Sequence, residues 1–162
     1  MLKLLRPLNL LLAGLTYLLG ASIPPYLGES VQPAPFALGL AFALLNQAGM
    51  SLLSEVFRPH NEPLVAGETL KQKETLRNNM LHLSIGMLGT AATIAFIFHL
   101  NFTLTLPSFI FLLSSFILAL TYSIPPFRLV NRGFGELILA LHIAYVVPSI
   151  GFFFQSGENP RL

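Results

Sequence analysis

Five apolar stretches, residues 4–21, 36–56, 80–100, 104–124 and 136–154, occupy most of the chain, and its few charges fall in the gaps or at the ends. Each stretch is long enough to carry an α-helix across ~30 Å of hydrocarbon at ~1.5 Å per residue. The pattern predicts an all-α, polytopic transmembrane bundle of about five spans, one membrane domain with no soluble one. Composition agrees, because only 10% of residues are charged and 54% are hydrophobic, against roughly 25% charged in a soluble domain.

The first stretch has Lys3 ahead of it and Arg6 near its start, as a secretory signal would, but its apolar core exceeds the roughly 7 to 15 residues of such a signal and more spans follow. Pro7 suits a first helical turn, where no backbone donor is needed. Residues 22–35, with Pro24, Pro25, Gly28, Pro33 and Pro35, read as a loop by their helix breakers. Residues 57–79 form the long polar loop, in which Gly67, Glu68 and Thr69 suggest a turn before a short amphipathic helix at the membrane surface. A second charged hairpin, residues 125–135, carries Arg128 and Arg132.

With five spans, Lys3, Arg6, Arg58, Lys71, Lys73, Arg77, Arg128 and Arg132 fall on one side, eight of the nine cations. Arg161 alone falls on the other. Positive loops stay inside, so the expectation is a multi-pass protein of the cell membrane with a cytoplasmic N-terminus and cytoplasmic loops 57–79 and 125–135. A formal charge of +2 gives no reason to expect nucleic-acid binding.

Chemistry is constrained by what is missing. There is no cysteine and no aspartate, and all seven acidic residues are glutamate. Asn46, Gln47, Ser51, Ser54 and Glu55 interrupt the second span, and polar groups at such depth face a bundle interior or a wet cavity. Positions 46, 50 and 54 recur every four residues and so lie near one face. The histidines at 60, 82, 99 and 142 have no metal-ligand spacing and suit interhelical hydrogen bonding. Glu136, at the start of the fifth span, is favourably placed at a helix N-terminus or as an ion-pair partner of Arg128 or Arg132.

Residues 122–141, YSIPPFRLVNRGFGELILAL, resemble the end of the fourth helix and the start of the fifth in the UbiA superfamily of membrane prenyltransferases. There the pattern is approximately Tyr-Ser-x-Pro-Pro-x-Arg-Leu, a basic residue, then Gly-x-Gly-Glu. The opening LLRPLNLLLAGLTYLLGA, with Arg6, Pro7 and Asn9, is similar to the family's first helix. The 133–136 step and the later GFFFQSGE are most similar to 1,4-dihydroxy-2-naphthoate polyprenyltransferases.

The resemblance covers essentially the whole chain and implies the N-terminal half of a bundle of about nine helices, with a cavity open to the cytoplasm. It implies transfer of an isoprenyl group from a polyprenyl diphosphate to an aromatic acceptor in quinone biosynthesis, with Mg²⁺ held by two aspartate-rich motifs. A diphosphate leaving group, with about three negative charges, needs cations to neutralise it as the C–O bond ionises.

This chain departs from the pattern twice. Where the first motif reads Asn-Asp-x-x-Asp-x-x-x-Asp, Asn46 matches, but the aspartate positions hold Gln47, Met50 and Ser54, or Glu55 if counted back from Pro63 and Gly67. The region of the second motif is absent. The roles implied are therefore Asn46 and Glu55 as the catalytic pair, with Glu55 the one carboxylate for the metal. Arg58, Lys71, Lys73, Arg128 and Arg132 would attract the diphosphate, Tyr122 and Glu136 would position the acceptor, and segments two to five would wall the isoprenyl tail. The expected protein is an incomplete or split prenyltransferase, with a second polypeptide completing the bundle among membrane lipids. The alternatives are a non-catalytic relative that binds an isoprenoid lipid or quinone, and an unrelated small multi-span protein.

Overall fold

The computed structural model describes residues 4–59, 62, 64, 67, 69–102 and 105–156. Among them the chain is all-helical, with five helices long and apolar enough to span a membrane. These are α1 (Pro7–Tyr26), α2 (Pro33–Val56), α3 (Leu70–Asn101), α4 (Leu106–Ser123) and α5 (Gly135–Gln155). A 3₁₀ turn, Leu129–Asn131, lies between α4 and α5. The protein is membrane-embedded by this architecture.

α2 is the central helix and packs against each of the other four. Every residue from Asn46 to Val56 is buried, as expected of a helix enclosed on all sides. α1 lies along α5 and α3 lies along α2. The main apolar core joins Tyr17 and Ala21 of α1 to Phe42 of α2, Leu112 of α4, and Val147, Ile150 and Phe154 of α5.

Helix ends differ from the sequence reading at three places, each with a local cause. Residues 22–35 are not all loop, since α1 runs through Pro24 and Pro25 to Tyr26. The prolines fall in the last turn, and their carbonyls accept the closing bonds, Glu29 N–H to Pro24 O and Gly28 N–H to Pro25 O, both 3.1 Å. With Gly28 at φ 96°, this is the Schellman arrangement that ends a helix. Pro33 and Pro35 then open α2, in a first turn that lacks internal donors anyway.

The segment after Thr69 is not a separate surface helix. It forms the first turns of the 32-residue α3, about 48 Å long at ~1.5 Å per residue, so α3 stands proud of the hydrocarbon. Its start is fixed by a capping box, in which Gln72 N–H donates to Thr69 Oγ1 at 3.3 Å and Thr69 N–H to Gln72 Oε1 at 3.0 Å. His60 and Glu68 lie outside the described residues.

α5 contains one π-helical turn, His142–Val146. It lies just ahead of Pro148, whose ring would meet the carbonyl four residues back in a regular helix. The turn also aims His142 into the bundle, where it is wholly buried.

Candidate functional site

The alternation of five helices brings the start of α1, the end of α2, the start of α3, the end of α4 and the start of α5 to one end of the bundle. All the described cations lie at this end: Arg6, Arg58, Lys71, Lys73, Arg77, Arg128 and Arg132. The opposite end is uncharged among the described residues except for Glu29, and is fastened by Gln155, which exchanges two 3.0 Å hydrogen bonds with the backbone of Gln32.

Glu55, in the last turn of α2, is the centre of the charged end. Its side chain is 5% exposed, and each oxygen faces an arginine: Arg6 Nη2 donates to Oε1 at 3.1 Å, whereas Arg58 Nη2 lies 2.8 Å from Oε2 as an ion pair without hydrogen-bond geometry, so Oε2 accepts no hydrogen bond among the described residues. Arg6 also donates to the Tyr122 hydroxyl at 2.7 Å. One guanidinium thus ties α1 to α2 and α4.

Around this pair the cluster widens. Arg58 lies 3.8 Å from Glu62, Lys73 donates to the Glu62 carbonyl, and Arg77 donates to the Arg58 carbonyl at 2.6 Å. Arg128 is in electrostatic reach of Glu62, Glu55, Arg58 and Arg77. Burial lowers the Arg128 pKa, Glu62 and Glu55 oppose that shift, and the two neighbouring arginines add to it. For Arg6 burial is again the largest influence and acts downward, but Tyr122 and Glu55 together raise its pKa. Among the described residues, five cations thus gather with two carboxylates, Glu55 and Glu62, an excess of three positive charges, and two of the five, Lys73 and Arg77, bond backbone carbonyls there.

Two of these arginines sit on unusual backbone. Arg6 has φ 49° and Arg128 φ 34°, left-handed conformations that cost a non-glycine residue ~1–3 kcal/mol and gather at functional sites. Arg6 also precedes Pro7, a position that normally pushes the chain to extended geometry.

The nine residues singled out from the sequence divide into three groups. Glu55, Arg58, Lys73, Tyr122 and Arg128 come together in the cluster just described. Lys71, Arg132 and Glu136 are at the same end but exposed. Arg132 donates to Pro126 O at 2.7 Å, while Glu136 stands in the first turn of α5 without an ion-pair partner among the described residues.

Asn46 stands apart. It is nine residues before Glu55 on the same helix, about 13.5 Å along the axis. Its Nδ2 donates to Ser115 Oγ at 2.6 Å, and His142 Nε2 is 2.8 Å from that hydroxyl while Nδ1 is 3.1 Å from Gln47 Oε1. Asn46 Oδ1 is buried with no hydrogen-bond partner among the described residues. The face containing Asn46, Met50 and Ser54 is therefore filled by α4 and α5 rather than open: Ser123 Oγ donates to Met50 O at 3.0 Å, and Met50 packs with Ala119 and Tyr122.

An apolar groove of about 670 Å³ runs over α2 between α1 and α3, lined by Leu5, Leu11, Gly14, Leu44, Ala48 and Met87 among others. Leu5, in the lining, directly precedes Arg6 in the chain, while the cationic side chains themselves do not line the groove. It is walled by α1, α2 and α3, whereas the sequence reading looked to the second through fifth segments.

The described residues do not fit a magnesium ion. Both Glu55 oxygens face guanidinium groups, Asn46 is remote and bonded elsewhere, and no group of three or more acidic or histidine side chains able to hold a metal occurs among the described residues. Mg²⁺ needs near-octahedral oxygen ligands with carboxylate charge, and this cluster is cationic.

Sequence reasoning missed Arg6 as a member of the site. The charge count had already placed it on the side of Arg58 and Arg128, and its position at the start of α1, opposite the end of α2, was the available signal. It also missed Gln47 and Ser115 as partners of His142. Comparison with protein-family models, curated proteins and solved structures finds no match to this chain.

Proposed function

We propose that this chain is a UbiA-like protein of the cell membrane that binds an isoprenoid lipid with an anionic diphosphate head. The observation that carries the reading is the cationic cluster of Arg6, Arg58, Lys73, Arg77 and Arg128, together with an apolar groove whose lining reaches Leu5, the residue before Arg6. Head and tail of such a lipid suit this combination, since charge-assisted hydrogen bonds recognise the phosphate oxygens, while the tail, already out of water in the bilayer, gains van der Waals packing in the groove rather than a further hydrophobic term. By the positive-inside rule the charged end, with the N-terminus, faces the cytoplasm. A prenyl acceptor, an aromatic ring to be alkylated for quinone synthesis, and a second polypeptide packed on the exposed faces belong to the same reading. Transfer itself receives no support from the geometry, because no described group is placed to bring a metal to the leaving oxygen. Binding without transfer is the reading we favour.

The test is direct titration of the protein in lipid nanodiscs with farnesyl diphosphate and, separately, farnesol. The diphosphate binds more tightly than the alcohol, and Arg58→Gln or Arg128→Gln weakens it by about tenfold, as expected for one charge-assisted contact of ~1.5 kcal/mol. Equal binding of the two ligands, or indifference to both substitutions, would refute the reading.

A further inference from the structure

The clamp on Glu55 has a consequence for how an anionic head is held. We propose that Arg6 and Arg58 take the part a divalent metal would otherwise play, so that the head group binds without Mg²⁺, and that Arg6 is a binding residue of the site. The inference rests on the lipid-binding reading above and adds to it the cation and the residue.

Three observations carry it. Glu55 is the one carboxylate in the buried part of α2, and it is ion-paired to two arginines, hydrogen-bonded to Arg6 at 3.1 Å and 2.8 Å from Arg58, whose geometry leaves Oε2 without a hydrogen bond among the described residues. A guanidinium is planar, permanently charged and bears five donors, so Arg6, which gives one to Glu55 and one to Tyr122, has further N–H groups of the geometry that phosphate oxygens accept. The net +3 of the cluster already matches the roughly three negative charges of a diphosphate. A divalent ion added to the same place would meet five cations and would have to displace Arg6 or Arg58 from Glu55.

Arg6 is not a bystander in this arrangement. It reaches Glu55 and Tyr122 from a third helix, on left-handed backbone before a proline. Glu55 pairs with both guanidinium groups and neutralises part of their charge, so it competes with an anionic head rather than ligating it.

The experiment uses the full chain in nanodiscs and farnesyl diphosphate as probe, with excess EDTA or with Mg²⁺. The affinity is expected to agree within about twofold between the two buffers. Arg6→Gln should bind about tenfold more weakly for loss of one charge-assisted contact, and Glu55→Gln should bind at least as tightly as the native chain. Binding that requires Mg²⁺ and vanishes in Glu55→Gln would overturn the inference while leaving the lipid-binding reading intact. Binding by Arg6→Gln equal to the native chain would overturn the role of Arg6. Absence of binding in both buffers would defeat the lipid-binding reading itself. If either variant fails to fold, the comparison of EDTA with Mg²⁺ on the native chain decides the matter.

Discussion

Replacing Gly20 by alanine should break the seam between α1 and α5. A Cβ at Gly20 would lie 1.9 Å from the Pro148 carbonyl oxygen and 2.6 Å from its carbon, while one at Gly151 would lie 2.5 Å from Tyr17 O. The two backbones therefore touch through paired glycines, the close approach that replaces hydrophobic drive between helices in lipid. Ordinary contact begins near 3.4 Å, so the helices would have to part by ~1.5 Å at Gly20, opening the layer of Tyr17, Val147 and Ile150, each wholly buried. Overpacking relieved by side chains costs ~1–3 kcal/mol. Here the obstacle is backbone, so about 3 kcal/mol is expected.

The control is Gly86→Ala on α3, where nothing lies within 4 Å of the new methyl. That change should stabilise by ~0.5–1 kcal/mol through helix propensity alone. Unfolding in mixed micelles by increasing SDS, followed by circular dichroism, measures both. If Gly20→Ala comes within ~0.5 kcal/mol of Gly86→Ala, the packing of α1 on α5 described above is wrong.

Other expectations concern the buried polar network and the topology. His142→Leu removes the hydrogen bonds to Ser115 and Gln47 and should cost ~1–2 kcal/mol in the same assay, at ~0.6 kcal/mol per interhelical bond plus the unsatisfied partners. Combined with Ser115→Ala the loss should be less than additive, because both residues serve one network. Because the chain has no cysteine, Glu29→Cys and Arg132→Cys report topology cleanly. An impermeant maleimide added to sealed cytoplasm-out vesicles should label position 132 and spare position 29, and the reverse pattern would invert the orientation.

The five spans were legible because lipid imposes a simple rule on sequence, long apolar runs with charge at their ends. Thr69 and Gln72 spelled out the α3 capping box, and Gly28 rather than Pro24 was the stop signal of α1, but prolines weigh heavily in any reading of breakers. Half of the candidate site was visible in the same way, since Glu55, Arg58, Tyr122 and Arg128 stand at helix ends that alternate topology brings together. Arg6 was harder to see, being 49 residues from Glu55 and 116 from Tyr122, a proximity set by tertiary packing. Asn46 illustrates the converse, since its periodic spacing with Met50 and Ser54 marked a real inward face, and periodicity cannot tell a packed face from one lining a cavity. The π turn at His142 had a local signal in Pro148, whose ring disfavours a regular turn just ahead of it.

The clamp on Glu55 is tested most directly by a double-mutant cycle of Arg6→Gln and Glu55→Gln, measured as unfolding free energy in EDTA and again in Mg²⁺. With Glu55 5% and Arg6 32% exposed, the pair lies between surface ion pairs of ~0–1 kcal/mol and buried ones of ~3–5 kcal/mol. We predict a coupling of ~1–2 kcal/mol, the same in both buffers. A coupling below ~0.3 kcal/mol, or one that Mg²⁺ abolishes, would contradict the claim that arginine rather than metal holds this carboxylate.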